Sequence, residues 1–290
     1  MTSPNPLNDL RNLFLKVSSI DAADVRDEAV ANKQPSATAK NVGFDQLIWW
    51  LKRWQADETA DISEAHLCVL ASSYVGASGS QEVFDFIEAA SKGSASVNKL
   101  CKQHGVGLRV LEMAPAIPHD TEKPWSEAEC MAATAFGMEA IAAGGQLLGL
   151  SAIAPGNIKA SISLIEEVKR NKYASSSEEA KKSYDALDIM RKLGGREIAG
   201  LVGAILAAKS KPMPVLTEGW SAIAAMHIAH AIDPTSIDHV QVASVSDEKQ
   251  REYVLEINKV PIIGQYVDFG AGCGLALAVS SIVSLLYLAK

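Results

Sequence analysis

The sequence predicts an α/β fold: an open, mainly parallel sheet with helices on both faces, plus a small helical domain from the N- and C-terminal segments. Two observations carry this. From His66 onward, short near-continuous apolar runs alternate with amphipathic stretches of helical length, the grammar of parallel strands buried on both faces. The first sixty residues instead repeat their apolar side chains at helical spacing.

In chain order, Leu7, Leu10, Leu13, Phe14 and Val17 mark a first helix, and Pro35 to Asn41 forms a polar break. Phe44, Leu47, Ile48, Leu51 and Trp54 then line one face of a second helix. Trp49, Trp50 and Trp54 with Phe44 read as core or dimer interface. Strands are expected at Leu67–Ala71, Gly107–Leu111, Gln146–Leu150, Pro214–Leu216 and Val240–Ala243. Helical patterns lie between them: Gln81–His104 with a break at Gly93, Ser126–Ala143, Ile158–Lys172, Ser177–Leu193, Glu197–Ala208, Ser221–Ile232 and Asp247–Asn258. Residues 1–60 and 275–290 are assigned to the helical cap and 61–274 to the sheet domain.

Composition excludes several classes. The 290 residues are enough for a core without disulfide or metal support, and a net charge of −7 offers no field for a phosphate backbone. Nucleic acid is therefore not an expected partner. Cys68, Cys101, Cys130 and Cys273 show no metal-ligand spacing and read as reduced thiols of a cytoplasmic protein. Gly270 to Ala289 holds twenty residues without a formal charge, but its glycine-rich opening and three serines mark a buried helix rather than a membrane anchor.

In such sheets ligands sit beyond the carboxyl ends of the strands. Candidate positions are therefore Ser72–Tyr74, Glu112–Ala114, Ser151–Asn157, Thr217–Trp220, Ser244–Ser246 and Gly270–Gly274. Glu218 follows a strand and is either a base or the cap of the helix starting near Ser221. Glu88 and Asp85 lie on one helix and read as a solvated helical face. His227 and His230 lie three apart on one helix, with His239 the nearest third ligand; surface histidines are the simpler reading, and no metal is expected. Gly270 to Gly274 could cradle a ligand or permit close packing.

The segments Asp188 to Ala208, Pro214 to Trp220 and Gly270 to Ala278 resemble the nicotinate-nucleotide:dimethylbenzimidazole phosphoribosyltransferase family. Val42 to Leu47 and Gly144 to Asn157 resemble its earlier landmarks, while Lys172 to Asp185 is shortened. The resemblance implies a homodimer without metal or other cofactor. It also implies transfer of phosphoribose from nicotinate mononucleotide to dimethylbenzimidazole on the cobalamin pathway, giving α-ribazole phosphate. That chemistry needs a carboxylate to accept the azole proton.

Carried residue by residue, the family's catalytic glutamate falls on Ala271 and its second glutamate on Ala152, while Asn157 retains the family's asparagine. The aspartate and histidine after the first strand fall on Ser72 and Ser73, and a later histidine falls on Ser244. The glycines stay: Gly194, Gly195, Gly219, Gly270, Gly272 and Gly274 are, with Asn157, the expected ligand-binding positions. Two readings follow. One is a catalytically silent or repurposed homologue that binds a nucleotide or azole, or partners a protein. The other is an active phosphoribosyltransferase with a relocated base at Glu218 or Glu88.

Overall fold

The computed structural model describes residues 5–18, 20, 43–55, 60–123, 125–174 and 185–288. Five strands form one sheet in the order β2-β1-β3-β4-β5, every pair parallel: β1 Ala65–Ala71, β2 Gly107–Glu112, β3 Leu147–Ile153, β4 Val215–Glu218 and β5 Val240–Ser244. Each contains or overlaps the apolar run that predicts it. The polar break at Pro35–Asn41 and the start of the Ser177–Leu193 helix lie outside the described residues.

Alternation explains why the runs are apolar throughout. Cys68, Leu70, Leu148, Leu150, Val215 and Val242 enter one core, whereas Leu67, Leu147, Leu216 and Ala243 enter the other. A strand covered on both faces has no solvent side on which a polar residue would be stable.

The first core is dominated by two apolar helices, α8 (Arg196–Ser210) and α9 (Trp220–Ile232); from Glu197 to Lys209 every residue of α8 is buried. Beside them pack α1 (Pro6–Ser18), α5 (Glu127–Gly137), α6 (Asn157–Ala174) and α7 (Ala186–Leu193). Helices α5 and α8 meet backbone to backbone. A Cβ on Gly203 would lie 1.9 Å from the Thr134 carbonyl oxygen, and one on Gly137 would lie 2.0 Å from that of Gly200. A capping box at Ser126, closed with Glu129, starts α5.

The second core holds α2 (Phe44–Gln55), α4 (Ser96–His104) and α11 (Cys273–Leu288). Trp50 and Trp54 are buried there, while Trp49 is partly buried with the Arg53 guanidinium 5.0 Å from its ring centre. Helix α11 runs over the middle of the sheet, with Leu275 against the place a Cβ of Gly149 would occupy. At 16 residues it is a core helix, and no helix among the described residues is long and apolar enough to cross a membrane. The other α-helices are α3 (Ser80–Ser91) and α10 (Glu248–Glu256), and two 3-10 helices, Met138–Ala143 after α5 and Pro234–Ile237 after α9, complete the described elements. The chain between α3 and α4 breaks around Gly93, as the pattern predicts.

Candidate functional site

Connections leave β1 and β3 in opposite directions across the sheet, so their carboxyl ends flank a topological switch point, the usual place for a ligand crevice. The loops touch there: Ser72 N–H donates to Ile153 O at 2.9 Å, and a Cβ on Gly156 would be 2.9 Å from Tyr74 Cβ. Above this contact opens a groove of about 670 Å³ whose lining includes Ser78, Glu82, Gly156, Asn157 and Lys159.

Two buried carboxyl groups sit at the carboxyl edge. Glu218 ends β4, where the ladder with β5 shifts register, and turns its carboxylate toward the start of α11. Leu275 N–H donates to Oε2 at 2.8 Å; Gly272 N–H and, at 3.2 Å, the Ser151 hydroxyl donate to Oε1. The glycine-rich turn makes this possible. Gly270 and Gly272 have positive φ, and a Cβ on Gly274 would fall 2.0 Å from Ser244 Oγ and 2.4 Å from Glu218 Oε2. Glu218 is thus a helix cap, but for α11 rather than for α9, the helix starting beside it. Strand end and helix start, distant in sequence, are neighbours only in the folded sheet. Burial pushes its pKa up to about 7, against the pull of these donors and of the Gly274 N–H.

The second carboxyl, Glu197, lies in the first turn of α8 and is fully buried. Its Oε1 accepts from Tyr74 OH at 2.6 Å and from Ser221 Oγ at 3.2 Å. Ser221 in turn accepts from Asn157 Nδ2 at 2.8 Å. Oε2 and the Ser72 hydroxyl meet no other partner and lie beside one another, so each is the other's natural partner. Burial raises the pKa of Glu197, and burial followed by the Glu197 charge raises that of Tyr74, which stays a protonated phenol. Gly195 leaves room for this network, since a Cβ there would be 2.1 Å from Tyr74 OH. Gly194 is packed against Met190 O. His119 lies against Tyr74 and Trp125, ring centres 5.7 and 4.9 Å away.

Other expected positions fall as follows. Ala152 is the last residue but one of β3 and half-buried, and Ala271 sits half-buried in the glycine turn. Gly219, with positive φ, starts α9 and has open space where a Cβ would stand. Glu88 is exposed on α3 and ion-paired with Lys92, apart from both buried carboxyls. His227 is not a surface residue: it is buried, its Nε2 3.0 Å from Tyr253 O. His239 is buried too, its Nε2 2.9 Å from Ile205 O. Among the described residues no group of three His, Cys, Asp or Glu could hold a metal. All four cysteines are buried, and burial pushes Cys68 and Cys130 up to about 12, which leaves them inert thiols.

Sequence reasoning places Tyr74 in a candidate loop without giving it a role, and it missed Glu197, Ser221 and His119. The available signal was an acid two residues after Gly194-Gly195, at the start of an otherwise apolar helix, a costly placement unless the carboxyl is hydrogen-bonded.

The buried groups give stability a two-sided pH dependence. Burial, then the Lys209 charge, lowers His239 to about 3, and burial lowers His119 to about 4. Below pH 6.5 the unfolded chain takes up protons that the folded chain refuses, so stability falls toward acid by at most ~1.4 kcal/mol per group per pH unit. Glu218 has the opposite sign. Its stabilising contribution is fully present below 4.5 and lost as pH rises through about 7. A calorimetric Tm is expected to peak near neutrality and fall on the acid side, less steeply in His239→Gln. Because Glu218 opposes the histidines over this range, the comparison decides: an acid-side fall as steep in His239→Gln as in the parent would contradict the assignment of His239.

Comparison with known proteins agrees with this architecture. A family model described as "Phosphoribosyltransferase" matches residues 166–288. The nicotinate-nucleotide–dimethylbenzimidazole phosphoribosyltransferase of Sinorhizobium fredii is 31% identical, the match covering 94% of this chain and 90% of that protein. The enzyme of the same name from Methylocella silvestris is 32% identical, covering 96% and 91%. In fold, the crystal structure of the same-named enzyme from Thermus thermophilus superposes with a TM-score of 0.71 at 16% identity, covering 95% of this chain and 96% of that one. The chain belongs to the nicotinate-nucleotide–dimethylbenzimidazole phosphoribosyltransferase family.

Proposed function

We propose that this chain is a ligand-binding homologue that holds a nucleotide or azole in the groove at the switch point without running the family reaction. The observation that carries this reading is the chemistry of the carboxyl edge. The two positions matching the family's glutamates are Ala152 and Ala271, and a methyl group accepts no proton. Glu218 and Glu197 are buried, and hydrogen bonds from their own neighbours occupy Glu218 and Oε1 of Glu197. What the groove retains suits binding: the start of α6, whose free N–H groups favour an anion, with Lys159 in its first turn and Asn157 at its lip. A cytoplasmic homodimer, with a place in cobalamin metabolism or a protein partner, belongs to the same reading.

One feature favours the alternative, an active phosphoribosyltransferase with a relocated base. Glu82, at the start of α3, is exposed and lines the groove. The experiment that separates the readings incubates the purified chain with nicotinate mononucleotide and dimethylbenzimidazole, with calorimetry in parallel. Saturable binding of the nucleotide and no α-ribazole phosphate above background are expected. Sustained turnover would overturn the proposal, and its loss in Glu82→Gln would locate the base.

A further inference from the structure

The polar groups beneath the groove form a directional chain. Tyr74 OH donates to Glu197 Oε1 at 2.6 Å, and Ser221 Oγ lies 3.2 Å from the same oxygen. With no proton on Oε1 itself, that oxygen can only accept, so Ser221 must spend its single proton on Glu197. This holds whether or not Oε2 carries a proton, because Oε1 is an acceptor in both states. Ser221 Oγ is left with lone pairs alone toward Asn157, 2.8 Å away, and only the NH2 end of that amide can satisfy them. The amide orientation therefore follows from donor and acceptor accounting. Ser221 and Glu197 are both buried, so no solvent molecule competes at this point. Oδ1 of Asn157, half-buried at the groove, makes no hydrogen bond to any described residue.

We infer that Glu197 is a positioning residue which, through Ser221, fixes the Asn157 amide with its carbonyl oxygen toward the groove, so that the site selects a ligand presenting a neutral hydrogen-bond donor. A ribose hydroxyl and an azole N–H share that chemistry. The ligand half of the inference rests on the binding reading above, whereas the orientation half does not.

The test uses the full chain with Ser221→Ala, which breaks the relay while leaving the Tyr74–Glu197 bond, and Glu197→Gln, which keeps a carbonyl acceptor. Asn157→Ala and the Ser221→Ala/Asn157→Ala double variant complete the set. In calorimetry with nicotinate mononucleotide, Ser221→Ala and Asn157→Ala are each expected to weaken binding about ten-fold, the loss of roughly one hydrogen bond. The double variant should be no weaker than Asn157→Ala alone, and Glu197→Gln should bind as the parent does. Additive losses, or parent-like affinity in Ser221→Ala, would overturn the inference. Dimethylbenzimidazole, which has the N–H but no ribose, shows which donor is read.

If the parent binds neither compound, the binding reading fails, and the ligand-free orientation is decided by exchange of the Asn157 side-chain amide protons followed by NMR. Slower exchange in the parent than in Ser221→Ala supports the relay. Equal exchange overturns it.

Discussion

Valine at position 203 is expected to destabilise the protein by at least ~3 kcal/mol and to abolish well-ordered packing of the first core. An alanine for glycine in a helix interior ordinarily stabilises by up to about 1 kcal/mol. Here even the first carbon has nowhere to go, since it would stand 1.9 Å from the Thr134 carbonyl oxygen, an atom fixed by helix α5. The helices must part, and with them the neighbours of Ile198, Val202 and Ile205. Urea unfolding followed by circular dichroism measures the effect. Gly43→Ala, where the nearest contact would be an ordinary 3.9 Å, is the control expected to stay within ~0.5 kcal/mol. A Gly203→Val protein as stable as that control would mean that the helices are not in backbone contact.

Removing the Glu218 carboxylate is expected to have the second largest effect. In Glu218→Ala the N–H groups of Gly272 and Leu275 lose their acceptor at a buried helix start, and a cavity opens between β4 and α11. Each unsatisfied buried donor costs about 1–3 kcal/mol, partly offset by relief from burying the carboxyl, so a net loss of ~2–4 kcal/mol is expected. Glu218→Gln should also destabilise, because one of the two oxygens that face N–H groups becomes an NH2. Both variants should open the Gly270–Gly274 turn to amide exchange before the rest of α11. Stability within ~0.5 kcal/mol of the parent in Glu218→Ala would show that the turn holds itself.

The fold was almost fully legible because its signal is one-dimensional. A strand buried on both faces must be apolar without interruption, as at Leu67–Ala71, and a helix buried along its length is apolar nearly throughout, as at Ile198–Ala208. Glu218 was legible as the acid to watch, since it follows a strand and precedes a glycine. Its partner was not. The nearest helix start in sequence is at Trp220, but the carboxylate serves the one at Cys273, because parallel crossovers bring a strand end beside a helix that begins more than fifty residues later. Glu197 escaped notice for a related reason. An acid in the first turn of a helix has a sufficient local explanation in the helix dipole, and only the arrival of Tyr74 from the loop after β1 reveals the network.

The sequence by itself determined the class of fold, the order of its elements and the absence of glutamate at positions 152 and 271, because residue identity and periodicity are properties of the chain alone. Tertiary structure alone decided how the surviving polar groups are used. A hydrogen bond a few ångströms long between Tyr74 and Glu197 or between Glu218 and Leu275 depends on which loops the sheet order brings together, and no local pattern encodes that distance.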